Sequence, residues 1–437
     1  MKIPSRTAQA GKKVTVTVLG AFCLFLSTIE YLIPKPVPFM RLGIANLPLM
    51  LALDILPFGA FLLLLGIKVI GQALITGTLF SYIFLFSLVG TGVSALSMFG
   101  LRRLLGPKQM SLAGISVLGA LLSNGAQLAL ARVFIFGEGA RYITPPFLAM
   151  GLITGLALGL FCEYFIRRSH WYAAYSDRPE PVVFVNSREI AEERKTARPD
   201  RSDASKVKKR RGYRERARES RRRIYEGLFS GRELCLVGML MVPALVFNPN
   251  PYFRVLQFLF FWFLAWLSGK KNNPLITILI ILGIVMFNLL VPYGRVLFSV
   301  GAFRITEGAL LAGIQRGVTL EALIMLSRTA IRRDLQLPGA FGEMVGESFR
   351  ILALIQEQGH IITRKDIIGS IDALMIAVSK AEDPTAEAGQ HEEMDVQKTE
   401  FLLSDGRRVS AIPGRIILVV AVLLAWLPWF FTIVVKL

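Results

Sequence analysis

Hydrophobic residues dominate this chain in two long runs, 14–166 and 234–335, each broken at intervals by short polar or glycine-proline punctuation. Six blocks fit the first run, at roughly 14–33, 42–56, 58–77, 79–100, 111–136 and 145–166, and most approach the length that crosses a ~30 Å hydrocarbon core. The second run predicts spans over 234–247, 253–267, 274–291 and about 296–311. Beyond it, 320–331 has a different pattern: Arg328 and Arg332 share a helix face beside Leu320, Leu323, Ile324 and Ile331. That pattern predicts a basic amphipathic helix at the inner membrane surface.

The pattern then turns polar. Thr363-x2-Asp366 resembles a capping box opening a helix with Ile367, Ile371, Leu374 and Val378 on one face. An acidic stretch predicted to be disordered follows, then a hairpin signal at Asp405-Gly406 and a last span over 415–435. The chain reads as an all-α polytopic membrane protein with five parts. These are a six-span domain (1–168), a cytoplasmic linker (169–232), a second membrane domain (233–339), a partly disordered cytoplasmic insert (340–413) and a terminal transmembrane helix (414–437).

Composition agrees. Of 437 residues 53% are hydrophobic and only 19% charged, an excess of apolar residues over a soluble domain. The formal charge of +19 concentrates in Arg167-Arg168, Lys206-Val-Lys-Lys-Arg-Arg211 and Arg221-Arg222-Arg223, with Arg102, Arg103, Lys108 and Lys270-Lys271 at other helix ends. The positive-inside rule places these groups in the cytoplasm, and with them the N-terminus. Lys12-Lys13 lead into an apolar segment with no small-residue cleavage pattern, so 14–33 is expected to be a retained helix. Charge without an aromatic or recognition-helix module argues against nucleic acid as a partner.

Cys23, Cys162 and Cys235 lie in or beside apolar helices without ligand spacing, and His170, His360 and His391 are isolated. No metal site, catalytic group or cofactor is expected from them. Polar residues at membrane depth carry more information, because an ionisable group there costs ~2.5–3.5 kcal/mol on insertion scales and faces the bundle interior. Lys68 lies mid-span, Asn124 and Gln127 form an i, i+3 pair, and Glu30 ends the first span. Pro34, Pro36 and Pro38 exclude a regular helix before Arg41 and Asn46, which makes this connector a candidate ligand-lining loop. Glu30, Arg41, Asn46, Lys68, Asn124 and Gln127 are therefore the candidate substrate-binding residues, with the two cations suited to a phosphate or carboxylate. Gly151, Gly155 and Gly159 line one helix face, and Ser116, Ala120 and Asn124 another, predicting close helix packing.

Four of these stretches, in order, carry a family resemblance: Glu30-x3-Pro34-x-Pro36-x-Pro38; Leu42-Gly43-Ile-Ala45-Asn46; Ser87-Leu-Val-Gly90-Thr-Gly92-Val-Ser94-x3-Met98; and Ile115-Ser116-Val-Leu-Gly119-Ala120-x3-Asn124-x2-Gln127. They resemble the Gx transporter family, also called heptaprenyl diphosphate synthase component I, which is similar to the substrate-binding S components of energy-coupling factor transporters. Residues 20–166 carry it; the family's usual His and Arg are here Ser123 and Lys68. More weakly, 233–358 resembles the T component of those transporters, through Arg254, Ile305-Thr306-Glu307-Gly308, Ser327-Arg328 and Leu337-Pro338-Gly339. The resemblance implies a six-helix S-component-like bundle binding a vitamin- or cofactor-like solute in the lipid bilayer of a bacterial inner membrane. It also implies ATP-binding-cassette subunits in trans, reached through coupling residues Arg328, Arg332 and Arg333.

The chain has no Gly-x4-Gly-Lys-Ser/Thr, so ATP hydrolysis must come from another polypeptide. It also has no Asp-Asp-x-x-Asp cluster to hold magnesium and diphosphate, so it is not expected to be a prenyl synthase, or an enzyme, by itself. The alternative is a non-transporting scaffold subunit for a prenyl-lipid enzyme or a flavin-linked electron-transfer complex.

Overall fold

The computed structural model describes residues 6–33, 42–175, 218–248, 250–270, 272–300, 303–332, 335, 337–357, 366–381 and 412–434. Among these the protein is helical apart from one β-hairpin, and six helical stretches are long and apolar enough to cross a membrane. One of them, Leu112–Arg168, contains two helices, and a helix pair bent by 90° would make a seventh span. The chain is a multi-pass membrane protein.

The first bundle comprises α1 (Arg6–Leu32), α2 (Leu47–Ile55), α3 (Phe58–Thr76), α4 (Tyr82–Gln109), α5 (Leu112–Ala131) and α6 (Ala140–Arg168), with a short α7 (His170–Tyr175) after it. The block expected to be the second span is a 3₁₀ turn, Ile44–Asn46, and the nine-residue α2. At 1.5 Å per residue α2 is too short to cross a bilayer. Leu47 through Leu53 are all buried, so its apolar run serves the bundle interior.

Packing follows the small residues. A Cβ on Gly155 would stand 2.9 Å from Ala120 Cβ and 3.1 Å from Val117 Cα, and one on Gly159 would run into the Ala113 backbone. The α6 glycine face therefore lies directly on α5, where no larger residue fits. Glu163 on α6 also accepts from the Ala113 N–H at the start of α5 (3.0 Å). We expect Gly155→Leu to lower stability by at least the ~1–3 kcal/mol typical of overpacking, seen as a lower midpoint of thermal unfolding in detergent. An unchanged midpoint would show that this contact can relax.

The second half contains α8 (Arg218–Leu228), α9 (Gly231–Val246), α10 (Pro251–Leu267) and α11 (Pro274–Leu289), then hairpin β1–β2 (Val296–Val300 and Phe303–Thr306) and α12 (Glu307–Ala330). The span expected over 296–311 is therefore a hairpin running into a helix. An apolar run this short fits strand or helix equally, and its β-branched and aromatic residues pair as strands here.

The amphipathic surface helix expected over 320–331 is corrected more sharply. It is the end of α12, whose residues from Gly317 through Ser327 are all buried. Its polar groups find partners inside the protein: Ser327 Oγ accepts from the Phe80 N–H (3.0 Å), and the Arg332 guanidinium donates to the carbonyls of Glu226 (3.0 Å) and Phe229. Gly313 and Gly317 bring α11 against α12, and Glu321 accepts from Thr277 Oγ1 across that seam (3.0 Å). The terminal helix α15 (Ile412–Val434) is held by Gln257 Nε2, which donates to the Ala425 carbonyl (2.7 Å).

Because α12 packs on the α3–α4 corner, Arg328 and Arg332 lie toward the end of α4 opposite to Arg102. Charge alone had placed both basic groups at one face.

Two helices from the expected cytoplasmic insert return to the first bundle. These are α13 (Gly339–Glu357) and α14 (Ile367–Ala381), whose Met344, Val345, Ile351, Ile355, Leu374, Met375 and Val378 join the same core as Leu19, Leu49 and Phe61. Ser348 Oγ donates to the Thr17 carbonyl (3.2 Å). Asp372 accepts from the N–H groups of His170 and Trp171 (3.0 Å each) and from Ser169 Oγ, so it caps α7. An amphipathic face needs an apolar surface, and the flank of α1 and α3 supplies it. Thr363, the stretch expected to be disordered and the hairpin expected at Asp405-Gly406 lie outside the described residues.

Candidate functional site

At the end of α1 the chain must turn back into the bundle, and Glu30 organises that turn. Its Oε1 accepts from the N–H of Leu42 (2.9 Å) and Gly43 (3.4 Å), and its Oε2 accepts from that of Ala45 (3.2 Å). These donors open the Ile44–Asn46 turn, which has no side-chain cap at Gly43. The carboxylate takes that role from twelve to fifteen residues away. Gly43 has φ +82°, a conformation that favours glycine.

The turn delivers Asn46, whose Oδ1 accepts from the Lys68 ammonium on α3. Lys68 is only 2% exposed and also donates to Thr91 Oγ1 on α4 (3.4 Å). On α5, Asn124 Nδ2 donates to the Phe147 carbonyl of α6 (2.8 Å), and Gln127 Nε2 donates to Ser123 Oγ (2.9 Å). Gln127 Oε1 is buried with no hydrogen-bond partner among the described residues. Gly90 leaves the room on α4 that this side chain needs, since a Cβ there would stand 2.9 Å from Gln127 Cγ.

These groups surround one narrow cavity with about 40 Å³ of free space, below the range of formed small-molecule sites. Five of the six residues singled out in the sequence line it: Glu30, Asn46, Lys68, Asn124 and Gln127. Arg41 lies outside the described residues. The lining also includes Met50, Thr91, Ser94, Met98, Ser116, Ser123 and Thr154, none of them in the predicted set. A signal for some was present: Thr91 and Ser94 sit at i, i+3, and Ser116, Ala120 and Ser123 continue the stripe of Asn124. Hydroxyls in a membrane helix usually bond their own backbone, and that masked them.

Chemically, the walls offer one ammonium, one carboxylate fixed on backbone donors, three amides, several hydroxyls and two thioethers. The unpartnered Gln127 oxygen asks for an N–H or O–H donor, because a buried acceptor left unmade is costly. Such walls present groups complementary to a small polar molecule. The expected coupling residues are elsewhere. Arg328 lies against Gly77, Arg332 is bound to carbonyls of its own half, and Arg333 lies outside the described residues.

This cavity lies within the part of the chain that the comparisons identify. Residues 19–165 match the heptaprenyl diphosphate synthase component I family. The matched stretch ends in the last turn of α6 and contains every described residue of the cavity lining. Residues 232–333 match a second family, described as a domain of unknown function (DUF8519), which runs from the start of α9 just past α12. No curated protein matches the chain, and no solved structure does. The component I match agrees with the resemblance carried by the four motifs.

Proposed function

We propose that this protein is the membrane subunit of an energy-coupling-factor-type uptake transporter. Its component I region binds a small vitamin- or cofactor-like solute, and its second half couples to separate ATP-binding-cassette ATPase subunits. The reading makes the protein a carrier and not an enzyme, in a bacterial inner membrane with the Lys12-Lys13 end in the cytoplasm.

One observation carries it: polar residues scattered from Glu30 to Gln127 converge on a single cavity at membrane depth, with a buried cation and an unpartnered acceptor in its wall. Polar groups inside a membrane domain are costly, and their convergence is expected where a solute is held. The T-component part of the reading rests on the sequence motifs of 233–358 alone.

The second reading is a non-transporting membrane scaffold subunit of a prenyl-lipid or flavin-linked electron-transfer complex; the family's description supplies the name of a synthase component and no more. Affinity purification from the native membrane, with mass spectrometry of proteins and bound small molecules, separates the two. An ATPase and a near-stoichiometric solute are expected. A prenyltransferase or redox subunit with no solute would replace transport by scaffolding.

A further inference from the structure

The bend between α8 and α9 fixes how this part of the chain meets the membrane. Leu236, Met239 and Leu240 of α9 are each more than half exposed, an outward apolar face that suits lipid tails. α8 turns 90° away from α9. Its sequence, Arg-Glu-Ser-Arg-Arg-Arg-Ile-Tyr-Glu-Gly-Leu, does not enter the hydrocarbon, where every arginine is costly. α8 therefore runs along the membrane face from which α9 starts.

Three contacts hold it there. The Arg332 guanidinium donates to the carbonyls of Glu226 (3.0 Å) and Phe229, and Tyr225 Oη donates to the Thr329 carbonyl (3.2 Å). The third is the turn between α10 and α11. Gly269 in that turn has φ +72°, and a Cβ on it would stand 2.8 Å from the Arg218 carbonyl oxygen and 3.1 Å from Arg222 Cβ. The turn is pressed against α8, and Lys270 follows it directly beside the stem of Arg222.

The depth of this corner is set by Trp266 at the end of α10. Its ring stacks on that of Phe263, and both side chains are about half exposed. An indole half in the open at the end of an apolar helix sits at the level of lipid headgroups. The Arg221 guanidinium lies over that indole, 4.2 Å from its centroid, and Nη1 donates to the Trp266 carbonyl (3.4 Å). Arg221 is thus fixed at headgroup depth.

Charge completes the picture. α8 carries Arg218, Arg221, Arg222 and Arg223 against Glu219 and Glu226. Arg222 pairs with Glu226 at 2.6 Å, but both side chains are more than a third exposed, where such a pair is weak. Ile224, among the arginines, is 61% exposed, an apolar side chain suited to a helix lying in the interface.

We propose that α8 and the α10–α11 turn form a seat for an anionic phospholipid. Its phosphate takes donors from Arg221, Arg222 and Lys270, and its acyl chains lie along Trp266 and Phe263. A guanidinium has five N–H donors, so Arg221 keeps some for the phosphate after meeting the Trp266 carbonyl. Basic clusters beside the end of a span attract anionic headgroups. The seat is separate from the solute cavity and does not rest on it.

The test is native mass spectrometry of the full chain in detergent, titrated with phosphatidylglycerol or phosphatidylcholine of matched dioleoyl chains. We expect phosphatidylglycerol to be held at least about tenfold more tightly. Arg222→Gln with Lys270→Gln, both exposed positions, is expected to weaken it by roughly 25-fold, about fivefold for each charge removed. Arg141→Gln with Arg295→Gln removes two exposed arginines at the far end of α11 and should leave the preference intact. An equal loss in that control would make the preference one of net charge and overturn the seat. Equal affinity for the two lipids, or a preference that survives Arg222→Gln with Lys270→Gln, overturns it as well. Displacement of phosphatidylglycerol by millimolar inorganic phosphate would give these cations to a free anion and overturn the lipid as occupant.

Discussion

Methionine in place of Lys68 is expected to empty the cavity: the solute retained by the purified protein falls by roughly 10- to 150-fold in affinity, while the bundle still assembles. The figure follows from losing a charge-assisted hydrogen bond, about 1.5–3 kcal/mol, at 1.4 kcal/mol per tenfold change. Methionine keeps the length and apolar stem of the side chain, so packing around Phe61 and Leu64 is little disturbed. What disappears is the donor to Asn46 and Thr91 and the only ammonium among the described lining residues. Lys68→Arg retains the charge and should retain most of the solute. Mass spectrometry of the released solute measures all three proteins. Equal retention by the Met variant would remove Lys68 from the site.

The second large effect is on stability. Arg102 on α4 forms a two-point pair with Asp54 at the end of α2, Nε to Oδ1 at 2.7 Å and Nη2 to Oδ2 at 2.6 Å. The Arg102 side chain is 8% exposed and that of Asp54 30%. Asp54→Ala leaves a guanidinium in a nearly dry site with only the Met110 carbonyl as a described partner. Breaking a buried pair costs about 3–5 kcal/mol, and the partial exposure of Asp54 puts the expectation at the low end. Thermal unfolding in detergent should show a clear loss. Removing Arg102 as well should recover part of it, because the unpaired charge is then gone; a double variant no better than the single would refute that cause. Because α2 begins beside Asn46 and carries Asp54 in its last turn, the same substitution should also weaken solute retention.

Much of this architecture was legible in the chain. A buried polar residue in an apolar helix is conspicuous, and Glu30, Lys68, Asn124 and Gln127 were each found on that ground. What pattern reading missed was depth and company. Leu47 through Leu53 look like a lipid-crossing block, yet they are buried on all sides by the bundle, and hydropathy does not distinguish protein from lipid. The Leu320–Ile331 stretch read as amphipathic because Arg328 and Arg332 are charged. The carbonyls of Glu226 and Phe229, which take up Arg332, lie about a hundred residues away and have no local signature. The return of α13 and α14 to the first bundle was invisible for the same reason. Glu30 was found as a candidate ligand, and the structure shows it holding backbone donors of the turn, a role no spacing rule encodes.

Chain order gives the α12–bundle contact a timing. Every described residue of the cavity wall lies between Glu30 and Leu158, whereas Leu320 and Ile324 are made much later. At about 5–20 residues per second, the cavity wall exists for roughly ten to thirty seconds before the α12 side chains that pack behind Phe86 and Phe147 are made, so the newborn bundle must hold those rings without them.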